Sequence, residues 1–194
     1  MMRQNRKREV SKMRFPEKEI LLKDGRRCVL RPTGPEYALE MIQYMKETSA
    51  ETPYLLRYPD EVSYTEEKEQ ELLKFVQDEP GSVMMMALVD GRVAGNCSVS
   101  GHGPKRKVRH RCSVAIALYR EFWNLGIGTA MLGYLEELAR EIGYEQMDLE
   151  VVADNTRAQA LYRKCGFVES GRHHRALLFD DGTYHDEILM YKEL

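Results

Sequence analysis

Nothing in this 194-residue sequence is apolar for long. Its longest apolar run, Val83–Val89, has seven residues, where a bilayer-spanning helix needs about 20. Charge of one sign is also missing: 29 Lys and Arg against 31 Asp and Glu leave a net charge of −2. No global field therefore draws the chain to nucleic acid or to a membrane surface. The four cysteines, Cys28, Cys97, Cys112 and Cys165, are scattered without metal-ligand spacing, as expected of reduced thiols in a cytosol rather than of a zinc module. No N-terminal stretch shows the charged, apolar and small-residue order of a signal peptide. Repeats and low-complexity tracts are absent as well. These absences lead us to expect a cytoplasmic single domain with no metal, no nucleic-acid partner and no membrane partner.

What is present is ordinary in bulk and uneven locally. Hydrophobic residues make up 43% and charged residues 31%, enough for one domain with a substantial core. Residues 1–18 carry seven Lys and Arg against two Glu. They read as a basic, solvated N-terminal arm in preference to an RNA-binding one, which leaves 19–194 for the domain. Residues 60–79 swing the other way, with eight Asp and Glu against two Lys. That stretch reads as a solvated helix face, with attraction of a cationic amine as the rival reading.

Along the chain, Glu19–Pro32 predicts two short strands around Asp24-Gly25. Thr33 to Glu36 offers helix-start chemistry, and Leu39, Ile42 and Met45 follow at helical spacing. A loop rich in Pro and Tyr leads to Ser63-Tyr-Thr-Glu66, a capping-box pattern ahead of Leu72, Leu73 and Val76. Val83–Val89 and Arg92–Ser100 form a hairpin about Asp90-Gly91, and Val108–Tyr119 is the next strand. The segment after Gly126 places Ile127, Ala130, Met131, Tyr134, Leu135, Leu138 and Ile142 at i, i+3, i+4 spacing, an amphipathic helix ending at Gly143. Strand Gln146–Val152, helix Thr156–Cys165 and strands Phe167–Leu178 and His185–Tyr191 complete an α/β domain with a mixed sheet. The run Met84–Met86 reads as core filler.

Two stretches carry chemistry. Val114–Gly143 is a strand, a short turn, Gly126-Ile-Gly128 and a helix, which places free backbone N–H groups and a positive dipole end at a helix start. That arrangement suits a phosphate, and Thr129 adds a hydroxyl in the first turn. A dinucleotide fingerprint would require a third glycine at 131, where Met131 stands. The second stretch, Glu150–Phe167, is a strand, then Asn155-Thr-Arg-Ala158, Leu161-Tyr162 and Gly166-Phe167. Taken separately, Asn155 reads equally as a helix N-cap and Tyr162 as a core residue.

In register, the two stretches resemble the acyl-CoA-binding core of the GNAT superfamily of N-acyltransferases. Trp123-Asn-Leu-Gly126-Ile-Gly128 follows that family's Q/R-x-x-G-x-G/A pattern, with Trp123 in the place of the Gln or Arg. The resemblance covers about Val83–Leu194. It implies a central mixed, mostly antiparallel sheet flanked by about four helices, with strands splayed at the acyl-CoA site, and it admits a homodimer. It further implies that the main chain of Ile116, Ala117 and Leu118 bonds the pantetheine arm, while Asn124, Leu125, Gly126, Ile127, Gly128 and Thr129 wrap the pyrophosphate. Asn155 would bond the pantetheine or the helix start, and Tyr162 would point at the thioester sulfur as the acid.

The implied reaction is direct transfer of an acetyl group from acetyl-CoA to a primary amine, a small molecule or a protein amino group, in a ternary complex. A non-catalytic acyl-CoA-binding regulatory module is the alternative. An amine of pKa about 10.4 is neutral in fewer than roughly one molecule in 10³ at pH 7, so a base is required. Glu150 resembles the carboxylate that some family members use. His110, His173, His174 and His185 are rivals for that role, and Asp186 and Glu187 are expected to line an acceptor pocket.

Overall fold

The computed structural model describes residues 15–194; the expected arm therefore lies, up to residue 14, outside the described residues. Its last residues belong to the domain. Phe15 is buried edge-on against Tyr134, whose hydroxyl donates to the Pro16 carbonyl at 2.6 Å, and Lys18 opens the first strand.

Eight strands form one sheet: β1 Lys18–Leu21, β2 Arg27–Pro32, β3 Ser82–Val89, β4 Arg92–Gly101, β5 Arg111–Leu118, β6 Gln146–Val152, β7 Val168–Leu178 and β8 Tyr184–Glu193. Their spatial order is β1-β2-β3-β4-β5-β6-β8-β7, antiparallel throughout except for β5 on β6. The four α-helices among the described residues are α1 Ala38–Glu51, α2 Glu66–Asp78, α3 Ile127–Ile142 and α4 Thr156–Lys164. No helix among the described residues is long and apolar enough to cross a membrane. Element order and sheet character match the reading of the sequence.

The helices divide between two cores. Residues of α3 and Tyr162 of α4 pack with Val83, Met85, Ala87 and Val89 of β3, positions two apart on one face of the pleat. On the opposite face, α1 and α2 enclose a smaller core with Met84, Val93 and Ala117 against it. Met85 and Met86 are fully buried, as core filler should be. The α3 stripe is as the period predicts, and Gly143 closes the helix in the left-handed conformation.

Two local expectations shift. In α1 the buried stripe is Met41, Tyr44, Met45 and Thr48, while Leu39 is 58% exposed. The polar atoms of Tyr44 and Thr48 sit inside that stripe with partners, the Thr48 hydroxyl donating to the Tyr44 carbonyl at 2.6 Å. In α2 the cap is Thr65, whose side chain accepts from the Lys68 N–H, rather than Ser63. Of the predicted Leu72, Leu73 and Val76, Leu73 alone is buried; Val76 is half-buried and Leu72 is 46% exposed.

One contact joins the two layers at the centre of the sheet. The Tyr44 hydroxyl donates to the Ala117 carbonyl at 2.7 Å and accepts from the Asn96 N–H at 3.1 Å. Asn96 and Ala117 are direct partners across β4 and β5, so an α1 side chain is inserted into that ladder. Gly95 beside it leaves no room for a side chain: a Cβ there would meet Leu118 Cδ2 at 2.1 Å and the Ala117 carbonyl oxygen at 2.7 Å.

Candidate functional site

The parallel junction is short. β5 pairs with β6 only at Arg111, Cys112 and Ser113, opposite Gln146, Met147 and Asp148. Beyond Ser113, β5 continues along β4 to Leu118, and β6 continues along β8 to Val152. The strands therefore splay. An extended cleft lies in the gap, lined by Val114 to Leu118, Leu149 to Val152, the start of α3, α4 and the loop after α1.

Strand alternation decides which main-chain groups face the gap. The Ala117 carbonyl is bonded on the β4 side by Tyr44, so the main-chain groups of Ile116 and Leu118 turn toward β6. Ala117, expected to join them, lines the cleft but has its carbonyl occupied. The Leu118 carbonyl accepts from Trp123 Nε1 at 2.9 Å, leaving the N–H groups of Ile116 and Leu118 toward the cleft.

At the wide end, the chain turns into α3 through two residues with positive φ, Asn124 at 66° and Gly126 at 100°. The helix has no side-chain cap. None of the N–H groups of Leu125, Gly126, Ile127, Gly128 and Thr129 donates to a described partner; the first bond into the helix is Ala130 N–H to the Gly126 carbonyl, at 3.1 Å. Successive free N–H groups at a helix start form a concave anion receptor. The two glycines differ in purpose. Gly126 is needed for its backbone, with open space where a Cβ would point. Gly128 is buried, and a Cβ there would press on Leu161 Cδ2 at 3.0 Å, so it allows α3 to approach α4.

Asn155 caps α4: its Oδ1 accepts from the Ala158 N–H at 3.1 Å. The structure thus gives the helix-start half of the expectation. Tyr162 is largely buried beside Phe167, with ring centroids 6.0 Å apart. Its hydroxyl makes no hydrogen bond to a described residue and lines the cleft. Burial, reinforced by Cys165, pushes that phenol up to about 12.

Glu150 also lines the cleft. Opposite it on β8 is Leu189, and Glu187 is the partner of Val152, so the two carboxylates are diagonal neighbours on one sheet face. His173 on β7 pairs across from Glu187. Neither Glu150 nor Glu187 forms a hydrogen bond or ion pair with a described residue. Burial and the neighbouring Glu150 raise the Glu187 carboxyl above its ordinary value, against an opposing effect of His173. Nearby acids have partners instead: Asp148 meets Arg111, Asp154 meets His185 Nδ1 at 2.6 Å, and Asp186 meets Arg172 and His174.

Among the histidines proposed as bases, only His173 lines the cleft. His185 is stacked on Phe179 and held by Asp154, and His174 faces the other way onto Asp186. Asp186, expected in the acceptor pocket, is occupied in that cluster, while Glu187 lines the cleft. Reading the sequence missed His102, which reaches the cleft beside Ser113 and Asp148. The same ring atom, Nε2, faces Asp148 Oδ2 at 3.2 Å and Ser113 Oγ at 3.4 Å. A relay needs one ring nitrogen for each partner, so this trio is not a nucleophile triad. No group of three or more His, Cys, Asp or Glu among the described residues is placed to hold a metal ion.

Comparison with known proteins agrees with this geometry. The Acetyltransferase (GNAT) family profile matches residues 42–167. Over 89 residues the chain is 33% identical to the mycothiol acetyltransferase of Clavibacter sepedonicus, a match covering 46% of this chain and only 28% of that protein. The fold is similar to an acetyltransferase of the GNAT family from Streptococcus pneumoniae, with a TM-score of 0.82 and 26% identity over 86% of this chain and 99% of that one. It is also similar in fold to a phosphinothricin acetyltransferase from Sinorhizobium meliloti solved with acetyl-CoA, with a TM-score of 0.75 and 20% identity over 90% of this chain and 89% of that one.

Proposed function

This chain belongs to the GNAT acetyltransferase family, and from that membership we propose that it moves an acetyl group from acetyl-CoA to a primary amine by direct attack in a ternary complex. The observation that carries the reading is the splay of β5 from β6, with unpaired N–H groups along one wall and a receptor of free N–H groups at its wide end. Those residues fit an extended donor with a phosphorylated end. The N–H groups of Leu125 to Thr129 would hold the pyrophosphate, and the main chain of Ile116 and Leu118 would hold the arm. Acetyl-CoA supplies the acyl group as a thioester.

Each wall then has a task. Of the Ile116 and Leu118 N–H groups, the one nearer the acyl group would stabilise the negative charge that grows on the carbonyl oxygen, the other holding the arm. The unpaired carboxylates of Glu150 and Glu187 favour a cationic acceptor and take the proton that the ammonium must lose before its nitrogen can bond to the acyl carbon. Tyr162 sits on the sulfur side. Its phenol, at about 12, is a weaker acid than a thiol of about 8.5. It therefore remains protonated and stabilises the departing thiolate by donating a hydrogen bond, while solvent supplies the final proton. Buried, unpaired Cys28, Cys97 and Cys112 suit a reducing cytoplasm.

The test is a panel of amines with acetyl-CoA, read by release of free thiol. Tyr162→Phe, which loses a hydrogen bond to a charged sulfur, should lower turnover about 10- to 100-fold while coenzyme A binds with parent affinity. Coenzyme A binding without thiol release on any amine would favour a regulatory binding module and sink the enzymatic reading.

A further inference from the structure

Arg157, the second residue of α4, has no carboxylate partner among the described residues. Its guanidinium instead lies over the indole of Trp123, 4.2 Å from the ring centroid. Trp123 is itself fixed, since its Nε1 donates to the Leu118 carbonyl at 2.9 Å. Arg120 also approaches that ring, at 5.6 Å, but is anchored to Glu51 through its backbone N–H, at 2.7 Å, and through its side chain. Lys23 and Lys164 line the same end of the cleft. Lys164 reaches Thr129 Oγ1 at 3.4 Å, in the first turn of α3. Several cations thus surround the free N–H groups of the α3 start, and among the described residues no ionised side chain of opposite sign pairs with Arg157.

We propose that Arg157, held on the face of Trp123, is the side chain that receives the phosphates of coenzyme A, with the indole serving as its platform. This rests on the acetyl-CoA reading above. A guanidinium lying over a ring keeps its N–H donors free at its edge, in the fork that matches phosphate oxygens. The ring holds the fork in place through its negative face without consuming a donor. An ion pair with a carboxylate would have consumed those donors. The Nε1 bond to Leu118 fixes the platform to the strand that lines the arm, so the phosphate grip and the arm keep a constant spacing.

The test is calorimetric titration of the full chain with coenzyme A at low and high salt, with melting temperature as a check on folding. Arg157→Ala should weaken binding about 10-fold and reduce its salt sensitivity. Arg157→Lys should recover only part of the loss, because an ammonium cannot stack or fork. Trp123→Ala should weaken binding comparably, and the double variant little further, since the two side chains act as a unit. Trp123→Phe, which keeps a ring but loses the Leu118 bond, should retain more affinity than Trp123→Ala. Parent-like affinity in Arg157→Ala, or a loss with unchanged salt sensitivity, overturns the proposal. Failure of the parent chain to bind coenzyme A would remove the acetyl-CoA reading itself, a result separate from variants that all bind alike.

Discussion

Replacing Tyr44 with Phe removes one oxygen atom from the middle of the protein. The ring is 4% exposed and its edge-to-face contact with Tyr119, at 5.3 Å, survives the change. What disappears is the bridge between the Asn96 N–H and the Ala117 carbonyl. Each buried bond is worth about 1 kcal/mol net, and each stranded group costs about 1–3 kcal/mol if nothing replaces its partner. Partial closure of β4 on β5 and the greater apolarity of Phe offset some of that. A net loss of about 2–3 kcal/mol is expected, which for a chain of this size lowers the melting temperature by roughly 5–10 °C. Tyr58→Phe is the internal control. Its hydroxyl accepts one exposed bond, from the Asp180 N–H at 2.8 Å, and its loss should cost well under 1 kcal/mol. Thermal melting of the three proteins decides the matter. If Tyr44→Phe melts within a degree of the parent, or no lower than Tyr58→Phe, the bridging hydroxyl does not stabilise the ladder.

Two other perturbations follow from the charge arrangement. Glu150→Gln removes the negative neighbour that, with burial, holds the Glu187 carboxyl above its ordinary value. Since the base must be ionised, the rate rises with pH through its titration, and the acid limb of kcat/KM should move to lower pH; an unmoved limb refutes the coupling. Lys192→Met removes bonds to Glu136 Oε2 at 2.5 Å and to the Cys165 carbonyl at 2.7 Å, and should cost about 2–3 kcal/mol in urea unfolding. Burial raises the Glu136 carboxyl, but Lys192 and Arg140 together prevail and hold it below its ordinary value. That stabilisation is present above the unfolded value of about 4.3 and is lost as pH falls through the depressed folded one. The gap between parent and variant should therefore narrow below about pH 4, and a gap independent of pH would refute the linkage.

Local signals were the legible ones. The 3.6-residue period of α3, the Asp90-Gly91 turn with both residues at positive φ and the glycine closing α3 all follow from nearest neighbours along the chain. In α1 the period misled at Leu39, because the buried stripe includes Tyr44 and Thr48, whose polar atoms are satisfied by groups far away or one turn back. The site divides the same way. Gly126, Asn155 and Tyr162 sit in patterns of a few residues. The approach of Glu187 to Glu150 depends on β6 and β8 register, His102 arrives from a loop, and Arg157 meets Trp123 across two separate helix starts. No spacing in the sequence encodes those meetings, since each is fixed by packing of distant segments.

The three-rung junction between β5 and β6 has a mechanical consequence. Two antiparallel blocks, one of five strands and one of three, share a seam stitched only at its bottom, and beyond the last stitch the torn margin of β5 lies inside the sheet rather than at its rim. Bare strand margins at a rim invite neighbouring chains to zip on, whereas this margin is flanked on both sides by strands of its own sheet. A slender thread bridging that seam would tie the blocks together, so occupancy should slow amide exchange in β6 and β8 as well as in β5.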